Sequence, residues 1–212
     1  MAFIFAVHVP IAGLALLPLV FGMPILFGPI HIALLEMVID PVCALVFEAE
    51  RGERDIMQRP PRDPNEPLFS VTMIAWGVFQ GGLAFAMLAT VFLLEVRGGM
   101  PEVEVRALVF FALIAEILAL ILVNRSFGAS IIEAFARHNS ALRAVLAAIV
   151  VIASLIFFLP AAQILLKFGS IAWIDMVFAV GLGAGLLVLL ELCKPVVRSI
   201  MRRGAIARPA TA

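Results

Sequence analysis

The chain has 212 residues, 64% of them hydrophobic and 14% charged, with no formal net charge and a mean hydropathy of +1.14. That composition excludes an ordinary soluble domain, the balanced charge says nothing about partners, and no nucleic-acid partner is expected of a membrane chain. Apolar runs recur that are each long enough to cross a hydrocarbon core.

The expected fold class is therefore an all-α polytopic membrane protein, a bundle of about six transmembrane helices in contact with the lipid bilayer. Spans are expected at about 2–27, 30–47, 70–94, 105–123, 143–159 and 171–192. One membrane domain is expected over residues 1–203, followed by a short disordered cytoplasmic tail at 204–212. With these spans, 12 of the 15 basic residues fall on one side, and only Arg97, Arg106 and Lys167 fall on the other. The positive-inside rule then makes both termini cytoplasmic, in a multi-pass protein expected in the plasma membrane. No Lys or Arg precedes Arg51. A signal peptide would need a basic start, so the chain is expected to begin part-way into a longer polypeptide.

The first span is interrupted by Pro10, Pro18 and Pro24, with His8 its one ionisable group. A histidine hydrogen-bonded at the membrane edge and a ligand or proton relay are equally good accounts of His8. The second span carries the chemistry. Glu36 and Asp40 lie four apart in apolar sequence, so at helical spacing they share a face. Pro41 follows, lacks an N–H, and crowds the carbonyl of Met37 four residues back, so the helix is expected to kink or unwind there. Freed carbonyls beside two carboxylates make a hard-oxygen site of the kind cations prefer. Carboxylates at membrane depth are costly and mark ion or proton paths by default.

Residues 48–69 turn polar and proline-rich, and a solvated cytoplasmic connector and a docking surface for another domain are equally good accounts of them. The third span holds Gly77 and Gly81, four apart, which favour close helix packing, and Gln80, a candidate interhelical hydrogen-bonder. The fourth span is apolar except for Glu116 near its middle, a third candidate for a polar site inside the bundle. The fifth is featureless up to Pro160. The sixth offers Gly181, Gly183 and Gly185 for packing, with Asp175 and Glu191 at its ends, where each reaches water or headgroups. Cys43 and Cys193 fall in different spans and imply no disulfide framework or metal motif.

The string Arg54-Asp55-Ile56-Met57-Gln58-Arg59-Pro60-Pro61-Arg62, preceded by the broken acidic helix and followed by Glu66-Pro67-Leu68, resembles the C-terminal membrane region of P-type cation-transporting ATPases of the calcium-pump type, in a bacterial form. The resemblance runs from about Phe3 to Arg203. It implies that the six spans correspond to the last six helices of such a pump. Asp40 then falls on the central cation-binding aspartate and Glu36 on a ligating asparagine, while Ile39 replaces a ligating threonine. His8 falls on a ligating asparagine, Ile11 on a glutamate, and Glu116 on the eighth-helix acid. The implied site is one cation position built from Glu36, Asp40, Glu116, His8 and the freed carbonyl of Met37, taking Ca2+, another cation or H+. Two calcium sites are not expected, because too few side-chain oxygens remain.

The phosphorylated Asp-Lys-Thr-Gly motif of that family does not occur among these residues. By the resemblance, ATP and Mg2+ belong to N-terminal and cytoplasmic ATPase domains missing here, so this chain alone is not expected to hydrolyse ATP. The alternative is a self-contained secondary transporter or channel with a broken helix. That alternative would favour inverted repeats, and the two three-span halves show no convincing similarity.

Overall fold

The computed structural model describes residues 2–49, 71–125 and 139–206. The Arg54–Arg62 string, the connector around it and the final residues 207–212 lie outside them. Among the described residues there are seven α-helices and no strand: α1 (Ala2–Phe21), α2 (Pro29–Pro41), α3 (Val71–Gly98), α4 (Glu102–Arg125), α5 (Ser140–Phe158), α6 (Pro160–Leu166) and α7 (Trp173–Ile206). Five of them, α1, α3, α4, α5 and the Trp173–Pro195 part of α7, are long and apolar enough to cross a membrane. α2 is shorter, but a π-helical turn at Val42–Val46 continues it. The result is an all-α polytopic membrane domain with five membrane-length helices and one shorter apolar helix among the described residues, against the six spans expected.

Several boundaries differ from the sequence expectation for identifiable reasons. The first helix stops at Phe21 rather than 27 because Gly22 takes a left-handed φ of 63°, and the Met23 N–H closes back on the Pro18 carbonyl at 2.8 Å. Pro160 does not merely end the fifth span; it occupies the first turn of α6, where its missing N–H costs nothing. α7 runs on to Ile206, taking in the first three residues of the expected tail.

α4 is the centre of the bundle. Of its most apolar stretch 78% is buried, against 22% for α5 and for α7. Those two helices turn Val150, Leu155, Val177, Val180 and Leu192 outward, as lipid-facing helices should. α1 and α3 run parallel and close because glycines open notches between them. A Cβ on Gly77 would stand 2.5 Å from the Ala2 carbonyl oxygen, and one on Gly81 would stand 2.7 Å from both the Ala6 carbonyl oxygen and the Val9 Cβ. One step further along, the Phe85 ring fills the notch left by Gly13. Of the three small residues in α7, only Gly183 makes such an approach, against the Ala115 backbone of α4.

Polar side chains fasten both ends. At the end that holds the α1–α2 connector the Arg106 guanidinium donates to three carbonyls, Leu26 at 2.8 Å, Lys167 at 2.9 Å and Ile25 at 3.1 Å. Beside it His31, 4% exposed, accepts from the Gly28 N–H at Nδ1 (3.0 Å) and donates from Nε2 to the Leu166 carbonyl (2.8 Å). The acceptor at Nδ1 fixes the neutral Nε2–H tautomer. Phe27, Phe110 and Phe168 pack around that ring. Toward the other end Gln80 and Asn124 exchange amide hydrogen bonds between α3 and α4, at 2.6 and 3.4 Å, as the sequence suggested for Gln80. There too Asn139 caps α5 by accepting from the Leu142 N–H (2.9 Å) and donates to the Val46 carbonyl (3.2 Å).

Candidate cation site

The expected break at Pro41 takes the form of a widened turn rather than an unwound strand. Pro41 keeps helical angles (φ −62°, ψ −31°). Beyond it the Val42 N–H reaches only to the Ile39 carbonyl, whereas the Phe47 N–H reaches back five residues to Val42 at 3.3 Å. Backbone bonding therefore changes from a tight to a wide step directly after Asp40. Pro41 has no N–H to give the Met37 carbonyl, so that oxygen lacks its usual helical donor. Met37 is 54% exposed, and its thioether is a soft ligand, so the backbone oxygen is the atom of this residue that suits a hard cation.

His8 and Glu36 meet. His8 Nε2 lies 3.6 Å from Glu36 Oε1, across the gap between α1 and α2, while Nδ1 is 2.8 Å from the Ile4 carbonyl one turn earlier on α1. The backbone contact orients the ring and leaves Nε2 facing the carboxylate. Both side chains are partly open, 49% for His8 and 38% for Glu36. Asp40 sits one turn after Glu36 on the same helix, and its side chain lies outside the described atoms. Glu116 is fully buried in α4, and neither of its carboxyl oxygens has a hydrogen-bond partner among the described residues. It does not join His8 and Glu36: among the described residues no three His, Cys, Asp or Glu side chains gather closely enough to hold a metal.

The acids near the two ends of the last span each have a partner of their own. Asp175 accepts from the Ala172 N–H at the start of α7, and Glu191 pairs with the buried Lys194. His31 and Arg106 escaped the sequence reading. A signal for His31 exists in Gly28-Pro29-Ile30-His31, where a cap residue, a first-turn proline and a polar group at the third helical position follow in order.

A family profile described as "Cation transporting ATPase, C-terminus" matches residues 24–196, well over half the chain. The chain belongs to this family. It is the C-terminal transmembrane region of a P-type cation-transporting ATPase, the membrane part of such a protein. The match begins just before α2 and ends just after Pro195 in α7, so it takes in Glu36, Asp40 and Glu116 but not His8. No curated protein matches the chain.

Proposed function

We propose that this ATPase region holds the transported cation of a calcium-pump-like P-type pump in a bacterial plasma membrane. The observation that carries the proposal is the His8–Glu36 pair, 3.6 Å apart at mid-span, one turn ahead of Asp40 and the Pro41 break. Glu36, Asp40 and the Met37 carbonyl supply oxygens from one turn of α2, and His8 supplies a nitrogen from α1. Glu116 supplies a further carboxylate from α4 once the helices rearrange. Its unpartnered burial supports that role, because an unsatisfied carboxyl in an apolar core is destabilising unless it does something else.

Calcium takes six to eight oxygens, so a complete shell needs groups from outside the described residues. The partly open face of the His8–Glu36 pair leaves room for them. ATP and Mg2+ act in the pump's other domains, and phosphorylation there drives rearrangement of α1, α2 and α4. Proton counter-transport fits the same groups, since neighbouring carboxylates share protons when no cation separates them. Both termini are assigned to the cytoplasm. The basic loops support this: 12 of the 15 basic residues fall on that side.

The test is Asp40→Asn in the complete pump. Ca2+-dependent phosphorylation from ATP should vanish, while phosphorylation from inorganic phosphate without Ca2+ persists. Unchanged Ca2+-dependent phosphorylation and transport would overturn the assignment.

A further inference from the structure

The π-turn after Asp40 has a peculiar end. Val46, its last residue, is fully buried, and the carbonyls at a helix end lack the N–H partners that interior ones enjoy. A buried carbonyl without a donor is costly. The donor comes from α5: the Asn139 side-chain NH2 reaches the Val46 oxygen at 3.2 Å. The same carboxamide uses its oxygen to accept from the Leu142 N–H, capping α5. Asn139 is itself 5% exposed, and Leu142 and Val145 on the turns above are buried with it.

Residue chemistry makes this double duty specific. Ser, Thr, Asp and Asn all cap helices, but a carboxylate has no hydrogen to donate and a hydroxyl has one. A carboxamide carries an acceptor and two donors on one rigid plane, so it faces both ways at once. Across Pro41 the backbone passes from a three-residue to a five-residue hydrogen bond. Such π-bulges sit at functional sites because their register can shift. An anchor at Val46, six residues after Asp40, sets which register the turn keeps.

We propose that Asn139 is a positioning residue for the cation site: its carboxamide pins the π-turn after Asp40 to the N-terminus of α5 and so fixes the axial placement of the Glu36–Asp40 turn. The proposal rests on the reading of Glu36 and Asp40 as that site. Asn139 touches neither residue in any described contact, and its effect passes through the backbone of Val42–Val46.

Two variants of the complete pump test it, with Ca2+ as the probe and the half-saturating Ca2+ for phosphorylation as the readout. Asn139→Asp keeps the cap and removes the donor. Asn139→Ala removes both and adds no charge. Both should raise half-saturating Ca2+ by about two- to tenfold, the range of one net hydrogen bond. The maximal level of phosphorylation from ATP, and phosphorylation from inorganic phosphate without Ca2+, should stay as in the parent.

An unchanged Ca2+ dependence in both variants overturns the proposal. So does a shift in Asn139→Ala alone, which would trace to the lost cap, or in Asn139→Asp alone or in opposite directions, which would trace to charge. A fall in maximal phosphorylation without a shift in Ca2+ dependence overturns it as well, in favour of a purely structural role. Asp40→Asn separates the two levels. If it abolishes Ca2+ dependence while both Asn139 variants behave as the parent, only the positioning role fails. If Asp40→Asn leaves Ca2+ dependence intact, the site itself is misassigned.

Discussion

The Arg106 end of the bundle and its middle treat polar groups in opposite ways. At that end Arg106 spends its donors on three carbonyls and His31 uses both ring nitrogens. In the middle, His8 and Glu36 share one 3.6 Å contact and stay partly open, and Glu116 is buried with no partner among the described residues. Satisfied groups fasten helices, and the open or unpartnered ones in the middle are those assigned above to the proposed cation site.

Substitutions at the two places should therefore fail differently. Glu36→Gln, isosteric but uncharged, should weaken Ca2+ affinity in the complete pump on the order of 100-fold, with thermal stability in detergent shifted by less than about 1 kcal/mol. A large loss of stability with normal affinity would reverse the assignment of the middle as site. Arg106→Ala should do the converse. It strands three carbonyls, one of them part-buried, and should cost about 2–3 kcal/mol in equilibrium unfolding with Ca2+ affinity little changed.

Gly81→Ala joins the two regimes, because the new methyl would press on Ala6 and Val9, the residues flanking His8. Overpacking of this kind costs about 1–3 kcal/mol. Moving α1 should also raise half-saturating Ca2+, and a stability loss with no change in Ca2+ dependence would remove His8 from the site. The smallest effect is expected from His31→Phe, which keeps the aromatic packing and loses two hydrogen bonds. About 1–2 kcal/mol of stability should be lost, measured by the same unfolding assay, with transport at saturating Ca2+ unaltered.

Much of this was legible in the residues. Apolar run length gave the membrane segments, and the Gly77–Gly81 spacing and Gln80 pointed to the α1–α3 and α3–α4 contacts that form. Glu36, Asp40 and Pro41 stood out because carboxylates and proline are conspicuous in an apolar run. Arg106 did not stand out. Its partners are the carbonyls of Ile25, Leu26 and Lys167, and backbone oxygens leave no mark in side-chain pattern. The form of the break at Pro41 was equally hidden, since proline removes one hydrogen bond without saying whether the chain unwinds or widens. The placement of Glu116 relative to Glu36 depends on how α4 packs in the centre, which helical periodicity cannot fix when almost every position is apolar.

The fastening by Arg106 and His31 also has a history in time. Arg106 lies 80 and 81 residues after its partners Leu26 and Ile25, and Leu166 lies 135 residues after His31. At synthesis rates of about 5–20 residues per second, the last of these partners emerges about 7–27 s after the histidine it completes. Arg106 itself emerges about 4–16 s after the connector it grips. The α1–α2 connector is therefore fastened in two steps, first from α4 by Arg106 and last from the end of α6, where the Leu166 carbonyl meets His31.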